Sequence, residues 1–198
     1  MNIEFINFIF FPLFTILTLL SIFGFGIFFN NNISIFKNDL KIKNLFFIQG
    51  LIISGFIFII INFFLPISDL ISILTIIIGT LLYIYYFLKI KIKKNELIFI
   101  LFTLVLSLFY SFYAGLSDDF NYHFETIKNF KNQSLFEILH HRTISYNSHW
   151  LFLTSIFNVS YLTSTLFILT SLFFSIFVYD LLILSLGILK NKKKYSSI

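Results

Sequence analysis

Long runs of apolar residues alternate along this chain with shorter polar stretches rich in lysine, and each run is apolar on every helical face rather than striped. The first run, Phe5–Phe29, contains Pro12 and ends near Gly24 and Gly26. After the polar loop Asn30–Asn44 comes Leu45–Leu65, broken by Pro66 and the turn-like Ser68-Asp69. Leu70–Leu88 follows, closed by Lys89, Lys91, Lys93 and Lys94, and then a run from about Leu97 to Leu116. Beyond a long polar interval lie a shorter apolar piece, Trp150–Leu162, and a final run from about Thr163 to Leu189, closed by Lys190, Lys192, Lys193 and Lys194. Apolar runs of about 20 residues match the roughly 30 Å hydrocarbon core as helices. A membrane β-barrel would instead need segments of about 10 residues in strict alternation. The pattern therefore predicts an all-α membrane protein with about five transmembrane helices. One large outer loop carries an amphipathic surface helix.

Three regions result: a four-helix transmembrane region over 1–116, the outer loop over 117–149, and 150–198, which joins an interfacial segment to the fifth helix and a basic tail. The piece 150–162 reads as a half-inserted interfacial helix with Trp150 at the headgroups, or as part of a tilted span. Cytoplasmic loops retain Lys and Arg close to helix ends. Loops 30–44, 89–96 and 190–198 carry three, four and four lysines, and the 66–69 turn carries none. This asymmetry predicts an outer N-terminus, a cytoplasmic C-terminus and an outward-facing Ser117–Trp150 interval.

Composition changes the picture little. The chain has 198 residues, 58% of them hydrophobic, and a mean hydropathy of +0.93; a soluble domain is excluded. The 31 phenylalanines fit an AT-rich coding sequence read into lipid-facing helices. With no cysteine, neither disulfides nor thiolate metal sites can form. The net charge of +5 comes from lysines at the ends of apolar runs, so it marks topology and not nucleic-acid binding.

Candidate chemistry is concentrated in Ser117–Trp150, which holds all four histidines, the only arginine, the only tryptophan and four of the nine acids. If 119–132 is helical, Asp119, His123 and Thr126 share a polar face with Tyr122 beside them, and Phe120, Phe124, Ile127 and Phe130 or Lys131 line the other side. The adjacent Asp118 and Asp119 suit two tasks. One can act as general base on an acceptor hydroxyl; or Asp118 with His123 can hold a divalent cation, Mg or Mn, against a phosphate leaving group. As a third reading they cap the following helix. The histidine spacings match no zinc pattern. Arg142, next to His140 and His141, suits bidentate contact with a phosphate.

The segments DDFNYHFETIK (118–128) and LHHRTISYNSHWLFLTSIF (139–157) resemble the first large outer loop of bacterial polytopic membrane proteins of the GT-C glycosyltransferase-like group. They are most similar to an uncharacterised family whose loop carries Asp, Tyr-His, Leu-His-x-Arg and Asn-Ser-x-Trp in that order. The matching positions are Asp119, Tyr122, His123, Leu139, His140, Arg142, Asn147, Ser148 and Trp150. The resemblance implies transfer of a sugar from a polyprenyl-phosphate donor to an envelope glycan or lipid at the outer face of a bacterial cytoplasmic membrane. It assigns the catalytic role to Asp118 or Asp119, with Asp119 the first choice for base and Asp118 for the metal or acceptor. His123, Tyr122, Arg142, His140 and Asn147 become contacts to phosphate and sugar. Three helices precede the one entering the loop, where many members have just one. Members usually continue for several helices beyond the point where this chain stops, which implies the N-terminal part of such an enzyme, with a membrane partner or further chain supplying the missing helices. The alternative is a non-catalytic polytopic protein that binds lipid headgroups or a partner subunit. A third class, an outward-facing metal-binding or transport protein, would rest on the histidines; Asp180 is the only ionisable residue well inside a span.

Overall fold

The computed structural model describes residues 3–32, 43–89, 98–106, 120–138, 149–160 and 168–195. All the regular structure among them is helical. In chain order the helices are α1 (Ile3–Asn32), α2 (Lys43–Phe64), α3 (Asp69–Lys89), α4 (helical over 98–106), α5 (Phe120–Asn132), α6 (Leu135–Ile138), α7 (His149–Phe157) and α8 (Ile168–Tyr195). Four contain stretches long and apolar enough to cross a bilayer: Phe10–Asn32, Phe46–Phe64, Asp69–Leu88 and Ile168–Leu186, with mean hydropathies of 2.1 to 2.3. Lipid offers no partner to a bare N–H or C=O, so a spanning segment of this composition satisfies its backbone internally as helix. The chain is an all-α membrane protein. The further span expected over 97–116 is helical where it is described, and the remainder of it lies outside the described residues.

The first helix organises the bundle, packing along both α2 and α3. Lipid supplies no hydrophobic drive to join helices, so contact depends on close approach and interhelical hydrogen bonds. Glycine permits that approach twice on α1. A methyl group at Gly24 would fall on the Gly79 carbonyl of α3, and 2.8 Å from the Tyr83 amide nitrogen. One at Gly26 would fall on the Phe46 carbonyl of α2, while Gly50 of α2 meets the Ile22 carbonyl in the same way. Hydroxyls complete the α1–α3 seam: Ser21 Oγ donates to the Thr75 carbonyl at 3.1 Å, and Thr80 Oγ1 donates to the Leu17 carbonyl at 3.2 Å. Both donors are carried by short side chains that do not hold the backbones apart. On the opposite side of α2, Ile52, Phe56, Ile60 and Phe64 repeat every four residues as an exposed apolar stripe. Such a stripe suits lipid and not water.

At one end of the bundle the chain between α2 and α3 turns through Pro66. Asn62 Nδ2 donates to the Leu65 carbonyl at 3.0 Å, and Ser72 N–H donates to the Ser68 carbonyl at 3.0 Å as α3 begins. The helix α5 is docked on this turn, with Ile67 N–H donating to the Phe130 carbonyl at 2.9 Å. It also packs along α7, where Phe130 meets Phe152 edge-on at 5.3 Å and Ile127 clusters with Leu151. Glu125, Lys128 and Asn132 stay exposed. Thr126, expected on a polar face with Asp119 and His123, is instead buried, with α7 packed along this helix.

The short helix α6 begins with a reciprocal cap: Ser134 N–H and Oγ donate to Glu137 Oε2 at 2.8 and 3.1 Å, and Glu137 N–H donates to Ser134 Oγ at 3.3 Å. Its Phe136 ring reaches Phe63 of α2 at 6.1 Å.

Helix α7 has nine residues. At 1.5 Å per residue it is about 13 Å long, under half the hydrocarbon thickness. Leu151, Phe152, Ile156 and Phe157 are all buried, and the helix contacts α2, α3, α5 and α8. Trp150 packs edge-on against Phe173 of α8 at 4.9 Å. Farther along α8, Tyr179 joins Phe99 and Phe102 of α4 at 4.8 and 5.4 Å.

Candidate site at the end of the bundle

Three elements meet where α3 begins: its first turn, the C-terminal half of α5 and the turn that follows α7. The residue that joins them is Lys131. It falls on the same face of α5 as Ile127 and one step from Phe130, so the packing that buries those two carries its ammonium inward with them. The Lys131 side chain is only 4% exposed. A buried ammonium is very costly unless each N–H finds an acceptor, and here each does. Lys131 Nζ pairs with Asp69 Oδ1 at 3.1 Å, donates to Ser72 Oγ at 2.5 Å and donates to the Asn158 carbonyl. An ammonium has three donors, and all three are engaged.

The acceptors are themselves held. Ser72 Oγ in turn donates to the Ser155 carbonyl of α7 at 3.3 Å. Asp69 Oδ1 also accepts from Ser160 N–H at 3.1 Å and Ser160 Oγ at 3.0 Å. Asp69 stands in the first turn of α3, where the helix dipole favours a negative charge. Burial pushes the Lys131 ammonium down to about 8, against the opposing pull of the Asp69 charge and its hydrogen bond. With its donors saturated, Lys131 serves as an anchor for α5 and is not free to bind a ligand or to act as a nucleophile.

Beside the anchor lies a cavity of about 260 Å³. Lys128, Lys131, Asn132, Asn158 and Ser160 line its polar side, and Phe124 and Ile127 its apolar side. No carboxylate lines it among the described residues. Lys128 is 55% exposed and its ion partner is Glu125, at 3.9 Å. A long, solvated pair of this kind holds a lysine weakly.

Tyr122 and His123 sit in the first turn of α5, His123 one helical turn before Ile127; their side chains lie outside the described residues. Asp118, Asp119, His140, Arg142 and Asn147 also lie outside them. The structure thus carries two of the expected site residues on the helix that the anchor holds and leaves the rest undescribed. Among the described residues, no three His, Asp or Glu side chains gather as a metal site would require.

Sequence reasoning overlooked the anchor. Asp69 read as part of a turn, and Lys131 as one of two candidates for the edge of an apolar face. The signal available was the conjunction of a lone acid at the start of a span with a lone lysine in register with buried Ile127 and Phe130. No protein-family description, curated protein or solved structure matches the chain.

Proposed function

We propose that this chain takes part in GT-C-like glycosyl transfer, moving a sugar from a polyprenyl-phosphate donor to an envelope glycan or lipid at the outer face of a bacterial cytoplasmic membrane. In this reading the N-terminus is outside, the C-terminus is cytoplasmic, and α5 lies on the outer side. The observation that carries it is the docking of α5. The Asp118-Asp119 pair immediately precedes a helix whose position on the bundle end is held by the Lys131–Asp69 ion pair and the Ile67–Phe130 backbone bond. A base must be held within hydrogen-bond reach of the proton it takes, and a pinned helix supports that far better than a free loop.

Asp119 takes the proton from the acceptor hydroxyl, whose oxygen then bonds to the anomeric carbon. The bond from that carbon to the phosphate oxygen breaks, and polyprenyl phosphate leaves. Tyr122, His123, His140, Arg142 and Asn147 are the residues offered to the donor's phosphate and sugar. Asp118 and His123 are the ligands offered to a divalent cation, and the role of Asp119 as base stands without one.

The test is transfer of labelled sugar from a polyprenyl-phosphate donor in membranes carrying the wild-type chain or Asp119→Asn. The variant is expected to insert normally and to lose product. Full retention of product would end the base assignment. A non-catalytic role in binding lipid headgroups or a partner subunit is the second reading, and the cation-lined cavity beside α5 favours its headgroup form.

A further inference from the structure

The cavity beside Lys131 sits at a defined depth. Asp69 opens one of the candidate spans, and α5, outside all four, docks on the turn just before it. The hydrocarbon core ends at such a point and the polar headgroup layer begins. A pocket at that level meets phosphates before anything else.

Its lining has the chemistry of an amphiphile's polar end. Lys128 and Asn132 are one helical turn apart on α5 and both face the cavity, so an ammonium and a carboxamide N–H can reach the same oxygen cluster. Phe124 and Ile127 offer an apolar wall on the other side. The charge balance is favourable to an anion. Asp69, the acid paired with the anchor, is committed to Lys131 and Ser160, whereas Lys128 has an exposed partner, Glu125, at 3.9 Å and can exchange it for a phosphate. The volume, about 260 Å³, falls just under the roughly 300 Å³ at which pockets begin to hold drug-sized ligands. It admits a headgroup and excludes a complete sugar-bearing donor.

We infer that this cavity is a binding site for the phosphodiester headgroup of an anionic bilayer lipid, with Lys128 meeting the phosphate and Asn132 donating beside it. The inference deepens the headgroup-binding reading and is independent of glycosyl transfer: the lipid titration and the sugar-transfer assay are read separately, so either can fail without the other. The site holds the surface helix to the lipid as the anchor holds it to the protein.

The test uses the purified full chain in detergent, with retained lipid read by native mass spectrometry after titration with phosphatidylglycerol or phosphatidylcholine. Wild type is expected to retain phosphatidylglycerol preferentially. A lysine near anionic lipid contributes about 1 kcal/mol, so Lys128→Gln is expected to weaken retention about fivefold. Glu125→Gln, which frees Lys128, is expected to strengthen it. Unchanged thermal unfolding of both variants shows that the fold is intact, as their exposed positions lead one to expect. Lys91→Gln, in a basic loop, is the control for diffuse attraction. Equal losses in Lys91→Gln and Lys128→Gln would overturn the assignment, as would no loss in Lys128→Gln. Millimolar glycerol phosphate is expected not to displace the lipid; displacement would make the ligand a free phosphate and overturn the lipid source.

Discussion

Replacing Lys131 with methionine keeps the apolar stem of the side chain and deletes the ammonium, which makes it the sharpest perturbation of the anchor. Removing one partner from a buried ion pair costs about 3–5 kcal/mol, because the other charge stays behind uncompensated. Here the Asp69 side chain is 21% exposed and keeps both bonds from Ser160, so the cost belongs at the lower end, about 3 kcal/mol. For a chain of this size 1 kcal/mol corresponds to roughly 2–4 °C in Tm, which predicts a fall of about 6–12 °C. Trp150 is the single tryptophan and packs on Phe173 from the first turn of α7, the helix that leads to the Asn158 carbonyl bound by Lys131, so intrinsic fluorescence in detergent follows the unfolding of α7. Adding Asp69→Asn to Lys131→Met is expected to recover part of the loss, giving a coupling of about 1 kcal/mol or more in a double-mutant cycle. A Tm within about 2 °C of wild type together with strictly additive effects would refute the anchor.

The remaining predictions concern the same packing. Gly24→Val drives side-chain atoms into the backbone of α3 and is expected to cost about 3 kcal/mol, the upper end for overpacking, whereas Gly55→Ala meets only the movable Leu153 side chain and is expected to cost under about 1 kcal/mol; thermal unfolding of the two variants checks the contrast. Lys131 titrates at about 8 in the folded protein and at 10.5 when solvated, so between these values the unfolded chain holds more protons and the contribution of this group to stability rises with pH. Tm measured from pH 7 to 10.5 is expected to show that rise in wild type and not in Lys131→Met. Ser134→Ala removes the α6 cap and is expected to cost about 1 kcal/mol, read by the same unfolding measurement.

The spans were legible in the sequence because lipid imposes one requirement on a long apolar run, and the helices α2 and α3 begin and end within two residues of the runs read from Leu45–Leu65 and Leu70–Leu88. The surface helix was legible too: α5 covers Phe120–Asn132, where a helix over 119–132 was expected. What local pattern could not supply was partnership. Lys131 and Ser72 are 59 positions apart, and Ser160 and Asp69 are 91 apart, so nothing in either neighbourhood names the other. Thr126 shows the same limit. Its hydroxyl made it read as part of an open polar face, and only the packing of α7 along α5 accounts for its burial. Gly24 and Gly26 did announce close packing within a bundle, but not that their partners would be Gly79 and Phe46. Of the candidate site, the helix that carries Tyr122 and His123 was foreseen, and the ion pair that pins that helix was not.

The central claim is that α5 is held at an outward-facing end of the bundle, and side-specific labelling of single cysteines tests it most directly. The chain has no cysteine of its own, so Glu125→Cys on the exposed face of α5, Asn95→Cys and Ser196→Cys can each be probed alone with a thiol reagent that does not cross the bilayer. Labelling of intact cells at 125 alone, with 95 and 196 reacting only after permeabilisation, is the predicted result. Labelling at 95 and 196 with protection at 125 would put α5 in the cytoplasm and contradict the account.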